Sequence, residues 1–313
     1  MLGSTDDLLV LTLAVVIDLA LGEFPAKFHP TVWIGHSVGV VQRLAPRDGP
    51  GALFVGGVVA LALPGLWLAA AFFAVQGLQG AHQAAYIIVG ALLLKSTFSV
   101  KMLHQAAADV RRPLADGDVA TARSGLRSLV SRNPSGLSPQ QTAAATVESV
   151  SENIADSICG PWLFFAIFGL PGAVAYRVIN TLDSMIGYHG EYELLGKAAA
   201  RLDDMVNIIP ARLSGLFLVL ASGFLPGQKA GSAWRIMWRD HARTESPNAG
   251  WTMSGMAGAL GIELEKVGHY RLGDNTRPVA MEDITQAIRS MYLVSAFALA
   301  TALALVYGRT QLF

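Results

Sequence analysis

Three carboxylates follow one another at helical spacing in the middle of the chain. Glu148, Glu152 and Asp156 are each four residues apart, which places them on one face if the segment is helical. Like charges at this spacing destabilise a helix by about 0.2–0.5 kcal/mol per pair. A bound Mg²⁺ ion, which prefers oxygen ligands, or an opposing group of arginines would offset that cost. The alternative is a solvated acidic face. We refer to these three residues as the acidic stripe.

A second group of charged residues lies within or beside two apolar runs further along the chain. Charges at membrane depth are costly, and they usually face a cavity or each other. Structural ion pairs are one interpretation, and a metal held together with a phosphorylated ligand is the favoured one. The group consists of Arg177, Asp183, Arg201, Asp203, Asp204 and Arg212.

Two polar loops are further candidates for substrate contact. His29 precedes Pro30 after the first apolar run, where it either positions a ligand or is an ordinary loop histidine. Ser246 and Asn248 lie in a turn built from residues that cap and bend a chain. Their alternative role is to cap a helix predicted over Met253–Leu260.

The elements that must position these residues are predicted to be membrane helices. The sequence is 52% hydrophobic and 15% charged, against about 25% charged residues in soluble domains. Six apolar runs approach the roughly 20 residues that cross a bilayer, so we expect an all-α, polytopic integral membrane protein with about five to six membrane helices. Lys95, near the end of the third run, is expected to extend to the membrane surface. The runs are Leu8 to Gly22, Gly51 to Leu78, Gln83 to Val100, Ile158 to Ile179, Ile208 to Leu225 and Tyr292 to Tyr307.

The fourth run, residues 158–179, contains a break. Gly169-Leu170-Pro171-Gly172 divides it into two short pieces, which form either one kinked span or two half-helices that enter and return. Broken helices are tolerated where they are buried in protein or line a cavity. Just before this run, Ser138, Pro139 and Gln141 are typical of a capping box, and they predict a helix from Pro139 to about Ser157.

Two polar helical inserts, residues 101–157 and 227–289, interrupt a single membrane domain that spans residues 1–313. Both are rich in Lys and Arg, which favours the cytoplasmic side of the plasma (inner) membrane. If the fourth and fifth runs each cross the membrane once, residues 180–204 lie outside. If the broken fourth run instead returns to the side from which it entered, these residues lie on the cytoplasmic side. Lys+Arg and Asp+Glu balance at 23 each, so no nucleic-acid partner is expected. The single Cys159 excludes an internal disulfide, and no phosphate-binding P-loop motif is present.

Taken together, these stretches resemble the adenosylcobinamide-phosphate synthase family of cobalamin biosynthesis. The resemblance covers nearly the whole chain in order, and its most specific parts are the Glu-Asn-Asp block within 148–156, the Asn-Thr-Leu-Asp-Ser-Met block at 180–185 and the Arg-Leu-Asp-Asp block at 201–204. The matching stretches are His29–Gly35, Leu129–Asn133, Glu148–Asp156, Tyr176–Met185, Ala200–Asp204, Ile209–Arg212, Ser246–Trp251 and Met256–Gly261.

The resemblance implies an amide ligase that joins aminopropanol, or its O-phosphate, to the propionate carboxylate of adenosylcobyric acid, with ATP and Mg²⁺ as cofactors. A carboxylate must be activated before it reacts with an amine, which requires held phosphates and groups that stabilise developing negative charge. Two alternatives stay open, a Mg²⁺-dependent membrane transferase on pyrophosphate-linked substrates and a non-catalytic sensor or transporter.

Roles are assigned to individual residues on this basis. Catalytic roles are expected for Glu148, Glu152, Asp183, Asp203 and Asp204. The expected metal ligands are Glu148, Glu152 and Asp156. Contacts with substrate are expected from His29, Asn153, Arg177, Asn180, Arg201, Arg212, Ser246 and Asn248.

Overall fold

The computed structural model describes residues 5–130, 133–188, 190–266 and 268–312. Within them the chain is almost entirely helical, which confirms the predicted all-α class, and the only strands are β1 (Glu263–Lys266) and β2 (Tyr270–Gly273), which pair as an antiparallel hairpin. The α-helices are α1 Asp6–Leu21, α2 Pro30–Leu44, α3 Gly49–Ala81, α4 Gln83–Lys95, α5 Val100–Ala115, α6 Val119–Leu126, α7 Pro139–Ile154, α8 Gly160–Ile186, α9 Glu193–Val206, α10 Ile208–Ser222, α11 Ala230–Asp240, α12 Ala249–Leu260 and α13 Met281–Leu312. Two 3-10 turns (Ala26–Phe28 and His241–Arg243) and a π-helical turn (Ala155–Cys159) complete these elements.

Several of these helices are long and apolar enough to cross a membrane, so the protein is a multi-pass membrane protein. Among the described residues there are four such stretches, or five if the consecutive helices α9 and α10 are taken together as one span. The predicted first span, α1, has only 16 residues, fewer than a bilayer normally requires. The four stretches are Gly49–Ala81, Gln83–Ala115, Pro139–Ile186 and Met281–Gln311.

The chain divides into two compact units. Unit 1 comprises Met1–Ser99, Gly160–Asn207 and Ala300–Phe313, and unit 2 comprises Val100–Cys159 and Ile208–Leu299. Unit 2 therefore contains both predicted polar inserts. The assignment of the whole chain to one membrane domain stays a prediction.

The core of unit 1 is formed by helix faces with a four-residue repeat. The stripe Val178, Leu182 and Ile186 on α8 is buried against residues of α2, α3 and α9, as expected for apolar side chains on one helical face. Its partners are Ile34, Val38, Ala60, Leu195 and Ala199.

Backbone contacts bring α9 close to two neighbours in unit 1. A Cβ atom at Gly196 would lie 1.7 Å from the carbonyl oxygen of Ile186, and one at Gly56 would lie 2.1 Å from that of Leu195. Both positions therefore require glycine. This packing fixes α9 against the end of α8 and against α3.

The predicted break in the fourth apolar run is confirmed at Gly169. This residue has φ 69° and ψ −166°, a conformation that only glycine adopts readily. The rings of Phe164 and Tyr176, twelve positions apart, have centroids 4.9 Å apart, whereas twelve residues of straight helix span about 18 Å. The chain therefore reverses at Gly169, and α8 is a helical hairpin. Return of both arms to one side of the membrane stays a prediction.

Buried charges in unit 1 hold the hairpin and the first helix in place. The carbonyl of Phe165 lies in the last turn before the reversal, where helical acceptors are left unpaired, and it accepts a hydrogen bond of 3.3 Å from Arg309 Nη1. The Nη2 atom of Arg309 pairs with Asp7, which also accepts from the Tyr86 hydroxyl. The end of α13 is thereby connected to α1 and α8.

The expectation that Lys95 extends to the membrane surface is wrong. Its side chain is fully buried and lies 3.1 Å from Asp18 Oδ1 and 2.8 Å from Glu23 Oε1. A buried ammonium group needs such partners because water is excluded. Lys95 therefore connects α4 to α1 within unit 1.

Unit 2 is built around two helices that are buried on nearly all sides. The middle of α7 and almost all of α12 are buried. The predicted capping box is present on α7, where Ser138 and Gln141 exchange hydrogen bonds with each other's backbone N–H. The helix predicted at 253–260 is confirmed as part of α12. Of the matching stretch Leu129–Asn133, residues 131 and 132 lie outside the described residues.

Candidate functional site

A group of carboxylates lies on α8 and α9 in unit 1. Asp183 belongs to α8, and Asp203 and Asp204 belong to α9. The charge of Asp183 interacts with those of both α9 residues, which the close contact of α9 with the end of α8 makes possible. The structure therefore brings together three of the five residues predicted to be catalytic. We call them the aspartate cluster.

Asp203 is held by a buried chain of hydrogen bonds. The Asn207 amide nitrogen donates to Asp203 Oδ2 over 2.9 Å, and the Tyr176 hydroxyl donates to Asn207 Oδ1 over 2.7 Å. The exposed fractions are 8% for Asp203, 1% for Asn207 and 0% for Tyr176. Because all three side chains are buried, these hydrogen bonds fix which carboxylate oxygen of Asp203 faces Asn207.

Two other predicted residues border this cluster. Arg177 Nη1 donates to Asn180 Oδ1 over 3.3 Å, and both side chains are half-buried. Asn180 in turn lies beside Asp203. Arg201, by contrast, is exposed on α9, so its expected contact with substrate stays a prediction.

His29 uses both of its ring nitrogens within unit 1. Nδ1 accepts from the backbone N–H of Thr31 at the start of α2, and Nε2 lies 2.7 Å from Glu23 Oε2. Since Nδ1 is an acceptor, Nε2 carries the proton. Burial would raise the pKa of Glu23, but hydrogen bonds from His29 and Lys95 outweigh it and hold the pKa below its usual range. His29 is thus half-buried and oriented by its neighbours, and its expected contact with substrate stays a prediction.

The acidic stripe lies in unit 2 at the end of α7. Glu148 is only 9% exposed, so a fully solvated acidic face is excluded at this residue. Glu152 is half-buried. The α-helix ends at Ile154 and Asp156 lies in the following π-helical turn. A π turn holds more residues per turn than an α-helix, and such turns are frequent at functional sites. The two glutamates therefore lie on α7 at the predicted spacing of four residues, whereas Asp156 lies beyond the end of this helix.

Asn153, in the same segment, makes local hydrogen bonds. Its amide nitrogen donates to the Ser149 carbonyl over 2.9 Å, and its amide oxygen accepts from the Ser157 hydroxyl over 2.8 Å. These contacts connect the last turn of α7 to the π-helical turn. Asn153 is half-buried and keeps a fixed orientation next to Glu152.

Arg212 and Asn248, which the sequence predicts to bind substrate, are in contact within unit 2. Arg212 Nη1 donates to Asn248 Oδ1 over 3.2 Å and to the Ile208 carbonyl over 2.8 Å. Its guanidinium group lies 4.9 Å from the ring centroid of Trp251, a cation–π contact. Ser246 Oγ accepts from the Asn248 backbone N–H. One guanidinium nitrogen is thus anchored by two acceptors.

The metal predicted from the sequence has no complete set of protein ligands. Among the described residues, no group of three or more His, Cys, Asp or Glu side chains is arranged to hold a metal ion. Mg²⁺ is usually bound by one or two carboxylates together with waters and substrate phosphates. Carboxylates suited to that mode are present in both units, and the ligand assignment on the acidic stripe stays a prediction.

Sequence reasoning missed two residues of this site. Asn207 is not among the predicted site residues, although an amide four residues after Asp203 within an apolar stretch is a detectable signal. Tyr176 belongs to a stretch that resembles the family, but the sequence predicts no role for its side chain. Its contact with Asn207 spans 31 positions, and such a pair cannot be read from local spacing.

Comparison with known proteins identifies a family and several relatives. The family described as CobD/Cbib protein matches residues 11–291. The cobalamin biosynthesis protein CobD of Dehalococcoides mccartyi is 49% identical over 279 residues, which cover 89% of this chain and 90% of that protein. The probable cobalamin biosynthesis protein CobD of Methanothermobacter thermautotrophicus is 38% identical, with 94% and 96% covered. The cobalamin biosynthesis protein CbiB of Salmonella typhimurium is 38% identical, with 93% and 95% covered. No solved structure matches the chain.

Proposed function

This chain belongs to the CobD/CbiB family of cobalamin biosynthesis proteins, and on that basis we propose that it is an ATP- and Mg²⁺-dependent amide ligase. Its proposed substrates are adenosylcobyric acid, through one propionate carboxylate, and aminopropanol or its O-phosphate, through the amine. The product is adenosylcobinamide or its phosphate.

The proposed reaction has two steps. An oxygen of the propionate attacks the γ-phosphorus of ATP, the bond to the bridging oxygen breaks, and ADP leaves with the bonding pair. The amine nitrogen then attacks the carbonyl carbon of the acyl phosphate, phosphate leaves, and the nitrogen gives up a proton to a base. Mg²⁺ would neutralise charge on the transferring phosphoryl group.

The proposal is supported by charged groups that are held at fixed positions in apolar helices. The Asp203–Asn207–Tyr176 chain orients one carboxylate before any ligand binds, and preorganised polar groups are what stabilisation of a developing charge requires. Arg177 and Arg212 are proposed to hold phosphate or propionate oxygens, since a guanidinium binds both in a bidentate manner. A deprotonated carboxylate of the aspartate cluster is proposed to accept the proton of the amine.

Trapping the activated carboxylate tests the first step. Hydroxylamine replaces the amine substrate, and adenosylcobyric acid hydroxamate is measured with ATP present and absent. We expect hydroxamate only with ATP and Mg²⁺, together with one ADP for each hydroxamate. Glu148→Gln, Glu152→Gln and Asp156→Asn are each expected to lower the yield at least ~100-fold if they hold metal. Near-normal yield and unchanged Mg²⁺ dependence in any two of them would contradict that role.

We also propose that the reaction takes place on the cytoplasmic side of the plasma (inner) membrane, where ATP is available. Cys159 is buried, so Cys159→Ala gives a background in which single cysteines are placed at exposed Gln140, Tyr188 and Ala242. Intact right-side-out membranes are treated with an impermeant thiol reagent. Protection of all three positions is expected. Labelling of Tyr188→Cys alone from outside would contradict a cytoplasmic position for the segment after α8.

A further inference from the structure

Two members of the aspartate cluster, Asp183 and Asp203, have no positively charged partner among the described residues. Within the described part of the chain, the Asp183 side chain has no hydrogen bond and no ion pair, and Asp204 is a nearby like charge. Asp203 is 92% buried, and no donor meets its Oδ1 atom at hydrogen-bonding geometry, although Asn180 lies beside it. A buried charged oxygen without a partner is costly. Within the described residues, the charges of Asp183 and Asp203 are therefore not balanced by a positive group.

The orientation of Asp203 indicates where that group would bind. Asn207 occupies Oδ2 at 2.9 Å and is itself fixed by Tyr176, so Oδ1 is the atom left available. Asn180 cannot supply the missing charge, because it is neutral and its amide oxygen already accepts from Arg177. Hydrogen bonds of this kind from surrounding residues typically orient a carboxylate that binds a metal.

We propose that Asp203, through Oδ1, and Asp183 together bind one divalent cation. Two carboxylates from two helices match the usual protein contribution to a Mg²⁺ site, the other positions being taken by water or phosphate oxygens. Tyr176 and Asn207 are positioning residues that hold Asp203 in its binding orientation. This inference deepens the proposed function but does not require that the reaction be amide ligation.

The competing explanation is that the two carboxylates share a proton. Like charges close together in a buried place cannot both remain ionised unless a cation compensates them. A shared proton would satisfy the same electrostatic demand without any metal. The two explanations differ in a direct binding measurement, because only the first predicts a stoichiometric cation.

Manganese binding to the purified full-length protein in nanodiscs tests the proposal. Mn²⁺ is titrated, and the free ion is measured by its six-line electron paramagnetic resonance signal, with and without a non-hydrolysable ATP analogue. We expect one Mn²⁺ whose binding is abolished by excess Mg²⁺ and weakened at least ~10-fold by Asp183→Asn or Asp203→Asn. Glu191→Gln is the matched control, because Glu191 is an exposed carboxylate of the same unit that pairs with Arg47. Its Mn²⁺ affinity should equal that of the parent.

Milder variants keep the test valid if either aspartate substitution prevents folding. Tyr176→Phe removes only the hydroxyl that fixes Asn207, and Asn207→Ala removes the donor to Asp203. Each is expected to weaken Mn²⁺ binding ~10–100-fold, the usual effect of losing an orienting neighbour, while the size-exclusion profile stays unchanged.

Two results would overturn the proposal. One is the absence of Mn²⁺ binding by the parent protein both with and without the ATP analogue, which would favour the shared proton. The other is loss of binding in Glu148→Gln with full binding in Asp183→Asn, which would place the cation on the acidic stripe. If Mn²⁺ binding depends on Asp183 and Asp203 but the protein has no ligase activity, the cation site is supported and only the proposed function is contradicted.

Discussion

A single methyl group added to α3 is expected to displace the helix that carries two residues of the aspartate cluster. A Cβ at Gly56 would lie 2.1 Å from the Leu195 carbonyl oxygen, 2.9 Å from its carbon and 3.2 Å from its Cα. The obstacle is backbone, which cannot rotate away as a flexible side chain can. Gly56→Ala therefore moves α9 away from α3, or strains both helices.

The adjacent glycine provides a matched control. A Cβ at Gly57 has nothing within 4 Å, and both positions lie inside α3, so the gain in helix propensity of about 1 kcal/mol is common to both variants. The difference between Gly56→Ala and Gly57→Ala is then the steric cost alone, about 1–3 kcal/mol for overpacking. To restore a carbon–oxygen separation of about 3.3 Å, α9 must move by about 1 Å.

Thermal unfolding in detergent and the rate of amide formation measure the two consequences. At about 2–4 °C per kcal/mol, Gly56→Ala should melt roughly 2–12 °C below Gly57→Ala. A misplacement of about 1 Å near reacting groups can lower the rate about 100-fold, so the activity of Gly56→Ala should fall while that of Gly57→Ala stays near the parent value. Equal melting temperatures and equal rates for the two variants would refute the close packing of α3 and α9.

Three further variants test other parts of the structure. Arg212→Lys should lower kcat/KM at least ~10-fold with little change in melting temperature, because an ammonium group cannot replace the planar fork; full activity would leave Arg212 as a structural counter-charge. Lys95→Met removes the ammonium group that faces buried Asp18 and should cost about 3–5 kcal/mol, and adding Asp18→Asn should recover much of it. Additive effects in the double variant would contradict the coupling of the two residues. Burial would raise the pKa of Asp240, but hydrogen bonds from Arg239 and a backbone N–H outweigh it and lower the pKa. The ionised Asp240 therefore stabilises the folded protein above the unfolded pKa of about 3.9. This stabilisation is lost as the pH falls through the lower pKa of the folded state. The melting temperature of Asp240→Asn should therefore fall less than that of the parent between pH 5 and about pH 3.

Local features of the fold could be predicted from the sequence because their causes are local. The capping box at Ser138 and Gln141 involves residues three positions apart. The break at Gly169 follows from a Gly-Leu-Pro-Gly segment that cannot continue a helix. The long apolar helices followed from composition and run length.

Long-range contacts could not be predicted in the same way. Lys95 looked like a terminal residue of a span, but its burial depends on Asp18 and Glu23, which are brought to it by the packing of α1 on α4. The aspartate cluster depends on close contact at Gly196, where a helix approaches the end of another. Periodicity within one helix revealed the acidic stripe but gave no indication of which carboxylates on different helices face each other.

The central claim is amide formation, and one measurement tests it directly. Purified protein in nanodiscs is incubated with adenosylcobyric acid, Mg²⁺, ATP and either aminopropanol or its O-phosphate, and the corrinoid product and the nucleotide are quantified by mass spectrometry. We predict a product with the mass of the amide, formed with one ADP and one phosphate per molecule, and no product when ATP or Mg²⁺ is omitted. A folded protein that gives no amide with either amine, or that forms it without consuming ATP, would contradict the account.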